Sequence, residues 1–517
     1  MKIDEVLKKI EVLDTLGVCS REVTSVAYHS KKVKSGSLFV CIRGYKTDGH
    51  QYLKQAVENG AVAAIVEVFQ PGVAIPQFLV ADSRKALALV GATLYGNPSQ
   101  KMKMIGITAT NGKTTTSFMV NSILEEMAYK TGLIGTVMIK NDKSSIASDL
   151  TTPESLDLQQ YLSEMVDGGV THVTMEVSSS ALELSRVFGI DYDIVAFNNL
   201  SREHIDMHGS FEQYYEAKSS LIKNASADSI AVLNIECSYS SDLKANTAAR
   251  VIQYGVDNDD ADIVCRNLDL TTGRAKFTVE ITKPFEGLTH RIEAMTFDVA
   301  LAVPGLHSVY NALSAIAIAL AAGAPIDMIQ KGLMNFKGVE RRFEFIYEDD
   351  FIIIDDHFAN AGNIDVTLNT LDFMNYERLN LVYAIRGNRG PIVNRENAQA
   401  IAKWSKILGF DHLTATKSID FTTEKDIVTD EETSVFLEVM QANEIAVHME
   451  ENLSKAIEKV LSEVESGDLI LLAGCQGMDF GADVALRQLL KKYPEKPKEV
   501  ILAPLKYRVC GITTPIE

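Results

Sequence analysis

The run Gly106-Ile107-Thr108-Ala109-Thr110-Asn111-Gly112-Lys113-Thr114-Thr115-Thr116 has the residue types of a phosphate cradle. The apolar stretch from Met104 to Thr108 reads as a buried strand, and Gly112 lets backbone NH groups approach an anion closely. A helix from Thr114 to about Ala128 would add the positive end of its dipole. In that setting Lys113 can reach the β- and γ-phosphates of a nucleoside triphosphate, and the Thr114 hydroxyl can ligate Mg²⁺. The pattern departs from the strict phosphate loop, because Gly106 lies one residue early and Ile107 takes the first-glycine place. The bland alternative is a strand-to-helix turn with an incidental Gly-Lys-Thr. The ordered run of strand, loop, lysine, threonines and helix speaks against it.

Other residues have the right chemistry but weaker local signals. Glu176 closes an apolar strand, where open α/β sheets place ligand-binding residues, and a carboxylate there can hold a Mg²⁺ shared with phosphate oxygens. It can equally be a solvated strand-end acid. His204 and His208 stand four residues apart, a spacing that binds zinc on a helix, but no third ligand with suitable spacing is visible in the sequence. Taken alone, Lys218 reads as an exposed helix charge and Asn311 as a residue at a helix N-terminus.

These residues need a scaffold, and the sequence divides into three blocks. The first, to about residue 100, holds Gly36-Ser37-Leu38-Phe39-Val40, a helical stretch from Tyr52 to Gly60 and a strand from Ala61 to Glu67. Asn97-Pro98-Ser99 marks a turn and a boundary. In the second block, strands from Val170 to Val177 and Ile194 to Phe197 alternate with helices, which predicts a mostly parallel sheet covered on both faces. The run from Asn311 to Gly323 is apolar almost all round and predicts a buried helix. The third block starts near Gly338, with strands at Phe351 to Asp355, Leu381 to Ile385 and Leu469 to Ala473.

Composition sets outer limits. The chain has 517 residues, 46% hydrophobic and 23% charged, the balance of a globular protein with room for about three domains. Its net charge of −19 argues against non-specific nucleic-acid binding. No apolar run reaches the ~18 residues of a membrane-spanning helix, and the N-terminus lacks the features of a signal peptide. The 6 cysteines show no paired spacing, so a reducing cytoplasm is expected rather than a disulfide framework.

Several motifs in order resemble those of the Mur ligases. Thr110-Asn111-Gly112-Lys113-Thr114-Thr115 is similar to their ATP loop, which often carries Gly where Ala109 stands. Thr151-Thr152-Pro153-Glu154 resembles their Thr-Thr-Pro substrate loop, and Glu176-Val177-Ser178-Ser179 their Glu-Val-Ser-Ser strand end. Phe197-Asn198-Asn199-Leu200, followed by Glu203-His204-Ile205-Asp206-Met207-His208-Gly209, is similar to their Thr-Asn-Leu…Asp-His-Leu-Asp-x-His-Gly signature.

The resemblance implies a three-domain α/β architecture: a UDP-substrate-binding domain (1–100), a central P-loop parallel-sheet ATPase domain (101–337) and a Rossmann-like amino-acid-binding domain (338–517). It implies an ATP-dependent ligase that forms an amide bond through an acyl phosphate, adding an amino acid to a UDP-N-acetylmuramoyl-peptide with ATP and Mg²⁺. Lys113, Glu176, His204 and Lys218 would be catalytic, with Thr114, Glu176, His204 and a carbamylated Lys218 holding metal. Asn111, Gly112, Lys113, Thr114, Thr115, Asn311, Arg342, Asp356 and Arg389 would contact the nucleotide. Ser30, Thr151, Thr152, Ser178 and Arg186 would hold the UDP-linked carboxylate substrate.

The third block departs from the family. Asp355-Asp356-His357-Phe358-Ala359-Asn360 stands where the family has Asp-Tyr-Ala-His-x-Pro. Gly474-Cys475-Gln476-Gly477-Met478-Asp479 replaces Gly-Lys-Gly-His-Glu. The Asp-Asn-Pro-Arg motif tied to diaminopimelate is absent near residues 413–425, where Lys417 is the one cation in Thr414 to Phe421. The identity of the amine therefore stays open. So do two alternatives, a related ligase acting on a carboxylate outside peptidoglycan and a catalytically silent nucleotide-binding protein.

Overall fold

Strand Lys103–Thr108 is buried on both faces, and its alternation shows how the middle of the chain is layered. Ile105 and Ile107 pack with Met119, Val120 and Ile123 of helix Lys113–Glu126 and with the apolar helix Leu306–Ala321. Met104 faces the other way, among Leu158 and Leu162 of helix Ser155–Asp167 and Leu221 and Ile222 of helix Phe211–Lys223. The result is a sheet with helices on both faces, as the strand–helix alternation predicts. Gly106 is required inside this strand and not in the loop: a Cβ there would lie 2.7 Å from the Tyr192 ring. That packing accounts for its misfit to the phosphate-loop pattern.

The computed structural model describes residues 1–18, 22–44, 47–142, 144–201, 209–270, 274–506, 508 and 511–513. The strands form a 5-stranded, an 11-stranded and a 6-stranded sheet in chain order, apart from a small two-stranded ribbon. In the first, Asp14–Leu16 lies antiparallel on one edge of four parallel strands that end with Ser25–Ala27. In the second, the strands from Thr131–Ile134 across to Ile263–Asp269 run parallel. Antiparallel strands extend it at both edges: Arg274–Ile281 and Met295–Pro304 on one side, Met138–Asn141 and Ser144–Ala147 on the other. The alternating burial of Arg274–Ile281 is the period-two signal of a half-wet strand. In the third sheet only Glu344–Glu348 is antiparallel.

The first and middle units meet where helix Ser83–Leu94 packs on Ser155–Asp167. The Tyr28 hydroxyl donates to Asp157 Oδ2 at 2.5 Å across that seam. No helix among the described residues is long and apolar enough to cross a membrane.

Candidate active site

The central sheet reverses its winding at strand Lys103–Thr108, which has His172–Glu176 on one side and Ile194–Phe197 on the other. A crevice opens outside the carboxyl ends of strands at such a point. Three chain segments leave their strands there: the loop 109–112, Glu176 with the residues after it, and Asn198-Asn199. Together with the third unit they enclose a cavity of about 1000 Å³.

The loop is held from several directions. Gly112 adopts φ +86°, and a Cβ there would come 2.3 Å from Asn311 Oδ1, so both conformation and space call for glycine. The Asn111 NH donates to Asn199 Oδ1 at 3.0 Å, and Asn199 Nδ2 donates to the Asn111 carbonyl at 2.9 Å. The Lys113 ammonium folds back on the loop, donating to the Ala109 and Thr110 carbonyls at 2.9 and 3.0 Å. Thr115 lines the cavity beside it.

Glu176 is fully buried at the end of its strand. Its Oε2 accepts from the Thr114 hydroxyl at 2.9 Å and the Thr136 hydroxyl at 3.1 Å, while Oε1 accepts from the Thr136 NH at 2.8 Å. The carboxylate thus joins the loop helix to the end of the neighbouring strand Thr131–Ile134, which rules out the solvated-acid alternative. The Thr151 hydroxyl meets that of Thr136 at 3.1 Å, and the Thr152 hydroxyl donates to the Glu176 carbonyl at 2.8 Å. Ser178 caps helix Ser179–Glu183 and donates its own NH to Thr152 Oγ1 at 3.1 Å. Arg186 donates to the Thr152 carbonyl at 3.2 Å and pairs with Glu154 at 2.8 Å, while its buried Nε is left unpartnered. Thr151, Ser178 and Arg186 thus form one wall of the cavity, suited to an anionic ligand, and the fully buried Thr152 ties Ser178 and Arg186 together from behind.

Lys218 is not an exposed helix charge: it is only 2% exposed, below the Tyr214 ring and donating to the Ala109 carbonyl at 2.6 Å. Asn311 is likewise not at a helix start, because helix Leu306–Ala321 begins five residues earlier. Its Oδ1 accepts from the Thr116 hydroxyl at 3.3 Å, and Thr116 in turn accepts from Asn198 Nδ2 at 2.9 Å.

The third unit contributes a second wall. Arg341 and Arg342 are adjacent but differ in role. Arg341, at φ +57°, is buried against Asp479 and the Gly474 and Cys475 carbonyls, whereas Arg342 lines the cavity. Asp356 accepts from the Phe343 NH at 2.9 Å and from the Thr367 hydroxyl, so it fixes the strand-entry segment around Arg342. Burial pushes its carboxyl above the ordinary range, opposed by those hydrogen bonds. Burial, with the charges of Arg342, Arg341 and Arg386 nearby, holds His357 well below the ordinary imidazole range, so it stands neutral in the wall.

Besides Thr152, behind the wall, two expected residues lie away from the cavity lining. The Ser30 hydroxyl is buried in the first unit and donates to Gln55 Oε1 at 2.8 Å. Arg389 pairs with Asp426 at 3.7 Å, and its NH, with those of Asn388 and Gly390, is held by Glu432. His204 and His208 lie outside the described residues. Among the described residues no group of three or more His, Cys, Asp and Glu side chains is gathered around one point. Sequence reasoning missed Thr136, Asn199 and Asn363. Thr136 follows the end of a parallel strand and Asn199 lies inside a quoted motif, so both had a signal; Asn363 had none.

Comparisons with known proteins agree with this fold. The Mur ligase middle domain model matches residues 107–319, the Mur ligase glutamate ligase domain model 341–476, and the Mur ligase family catalytic domain model 22–88. The UDP-N-acetylmuramoyl-L-alanyl-D-glutamate–2,6-diaminopimelate ligase of Bacillus licheniformis is 34% identical over 91% of this chain and 95% of its own. That of Clostridium botulinum is 34% identical over 92% and 94%. A solved structure of a ligase with the same name superposes with TM-score 0.66 at 22% identity, covering 92% of this chain and 93% of that one. A MurF ligase from Thermotoga maritima in complex with ADP gives 0.60 at 19%, covering 92% and 98%. At those identities the two solved structures speak to the fold.

Proposed function

From the premise that this chain belongs to the Mur ligase family and is an ATP-dependent ligase, we propose that its acyl donor is a UDP-N-acetylmuramoyl-peptide and its acceptor an amino acid other than meso-diaminopimelate. The observation that carries this reading is the cavity in which the Lys113 loop, Glu176 and the Thr151, Ser178 and Arg186 wall face the third unit. In this reading the units divide at 1–100 for the UDP substrate, 101–337 for ATP and 338–517 for the amino acid. The reaction is placed in the cytoplasm, where ATP and nucleotide-linked precursors meet.

A carboxylate oxygen of the donor attacks the γ-phosphorus, the bond between γ-phosphorus and its bridging oxygen breaks, and ADP leaves. The amine nitrogen then attacks the acyl carbon, loses a proton, and expels inorganic phosphate. Lys113 moves from the loop carbonyls to the β- and γ-phosphates and neutralises charge on the transferred oxygens. Asn111, Gly112, Thr114 and Thr115 surround the phosphates, and Asn311 and Arg342 contact the rest of the nucleotide. Thr151, Thr152, Ser178 and Arg186 orient the donor. Asp356 acts by holding the segment around Arg342. Ser30 and Arg389 enter only by exchanging the partners Gln55 and Asp426. The buried Thr114 hydroxyl and Glu176 carboxylate are hard oxygen donors that suit Mg²⁺, with His204 and a carbamylated Lys218 completing the set. When bound, the ion supplies positive charge to the phosphate oxygens.

The amine follows from the third unit. Diaminopimelate brings a second carboxylate and a distal ammonium, which need a fixed cation and a fixed anion. Lys417 is engaged with Glu451 at 3.3 Å and Asp430 at 3.8 Å, and Asp479 is engaged with Arg341. A lysine also selects a carboxylate less well than arginine does. Each missing charged hydrogen bond costs roughly 1.5–3 kcal/mol, so an amino acid with a neutral side chain should win by at least about tenfold. The check is a competition assay with equal concentrations of amines and a fixed UDP-muramoyl-dipeptide. Dominant diaminopimelate incorporation would overturn the acceptor assignment. Failure to incorporate any amine would favour a carboxylate donor from outside peptidoglycan.

A further inference from the structure

The third unit touches the ATP loop through a side chain that the reaction scheme above does not use. Helix Ala361–Leu371 turns one face to the middle unit: Asn363, Val366 and Thr367 line the cavity, and Thr370 meets His307 Nδ1 at 3.4 Å. Residues three, four and seven apart share a helix face, so this seam follows from helical periodicity. At its start, Asn363 Nδ2 donates to Asn111 Oδ1 at 3.0 Å, across 252 residues of chain. The Asn111 backbone is meanwhile held on both sides by Asn199 from within the middle unit. Its main chain is therefore set by one unit and its carboxamide by another.

Resting on the ATP-loop reading, we propose that Asn363 is a positioning residue for phosphoryl transfer. A carboxamide presents oxygen on one side and two NH donors on the other. By occupying the Asn111 oxygen, Asn363 leaves the Asn111 NH₂ group as the face offered to phosphate oxygens. Once the third unit moves away, that carboxamide is free to turn, and its oxygen would then repel the nucleotide. Docking of the amine-binding unit is thereby coupled to a competent ATP loop, which limits ATP use before the acceptor domain is in place.

The test uses the full-length chain and three variants. Asn363→Ala removes the donor and should lower kcat/KM for ATP about tenfold, the scale of one hydrogen bond. Asn363→Asp replaces the donor with an acceptor, demands the Asn111 NH₂ group for itself, and should cost about a hundredfold. An aspartate on the third helical residue suits the helix dipole, so its melting temperature should hold or rise while activity falls. That split between stability and turnover is what a merely structural role would not produce. In an Asn111→Ala background Asn363→Ala should lose its effect, and Asn363→Asp should keep only the repulsion of its charge beside the cavity. A double variant in which Asn363→Ala still costs about tenfold, or an Asn363→Asp protein with full activity, would overturn the proposal. ADP affinity by titration calorimetry should follow the same order. A wild-type chain that turned over no muramoyl peptide would remove the substrate assignment, and those affinities would still decide the role of Asn363.

Discussion

Replacing Lys113 with alanine is expected to lower ADP formation by about a thousandfold while leaving the protein folded. Preorganised cations and donors aimed at charge that develops in the transition state are worth on the order of 10²–10³ each, and phosphoryl transfer depends on little else. The structure shows why stability should survive. The Lys113 ammonium donates to the Ala109 and Thr110 carbonyls beside the cavity, and a hydrogen bond from a charged group contributes about 1.5–3 kcal/mol, a fraction of the stability of a folded domain. The measurement is single-turnover ADP release together with a thermal melt. Unaltered turnover would remove the ATP-loop assignment, and a collapsed melt would make Lys113 a structural residue.

Lys218→Ala is expected to be the second large loss, about a hundredfold or more, with partial rescue by formate. A carbamate on the lysine would place an anionic oxygen donor among Thr114 and Glu176, and a small carboxylate can restore that charge in the space left by the side chain. Unlike Lys113, this residue is buried, and its removal deletes the 2.6 Å bond to the Ala109 carbonyl, which keeps Lys113 as a donor, and empties the space its stem fills. The lost bond and the space left behind both destabilise, so the melt should fall as well. The informative readout is therefore the rescue. Loss without rescue by formate or bicarbonate would assign Lys218 to loop support as an amine, and full activity in the variant would reduce it to packing.

Legibility differed with the range of the interactions involved. The strand Lys103–Thr108, the loop and the helix Lys113–Glu126 are contiguous, and their apolar runs, glycine and threonines express the local structure directly. Glu176 was readable as a strand end but not as a partner of Thr136, because that contact joins two strands that are neighbours only in the sheet. Lys218 illustrates the opposite failure. Its helix Phe211–Lys223 carries many polar residues, so a lysine there reads as solvated. Only packing beneath the loop made it one of the largest fully buried side chains. Arg341 and Arg342 are alike in sequence, yet a left-handed backbone at Arg341 sends one into a buried ion pair and leaves the other on the cavity wall.

By itself the sequence determined the α/β class and the strand–loop–helix around Gly112, since each is written in short-range periodicity and in motifs of a few residues. The antiparallel edges of the central sheet, the burial of Lys218 and the placing of Asn111 against Asn363 were decided only by tertiary structure. The partners in those contacts are brought together by sheet order and by the docking of one unit on another. Such pairings join residues up to 252 positions apart. No local spacing records them, because what selects each pair is the closure of the whole chain around its cores.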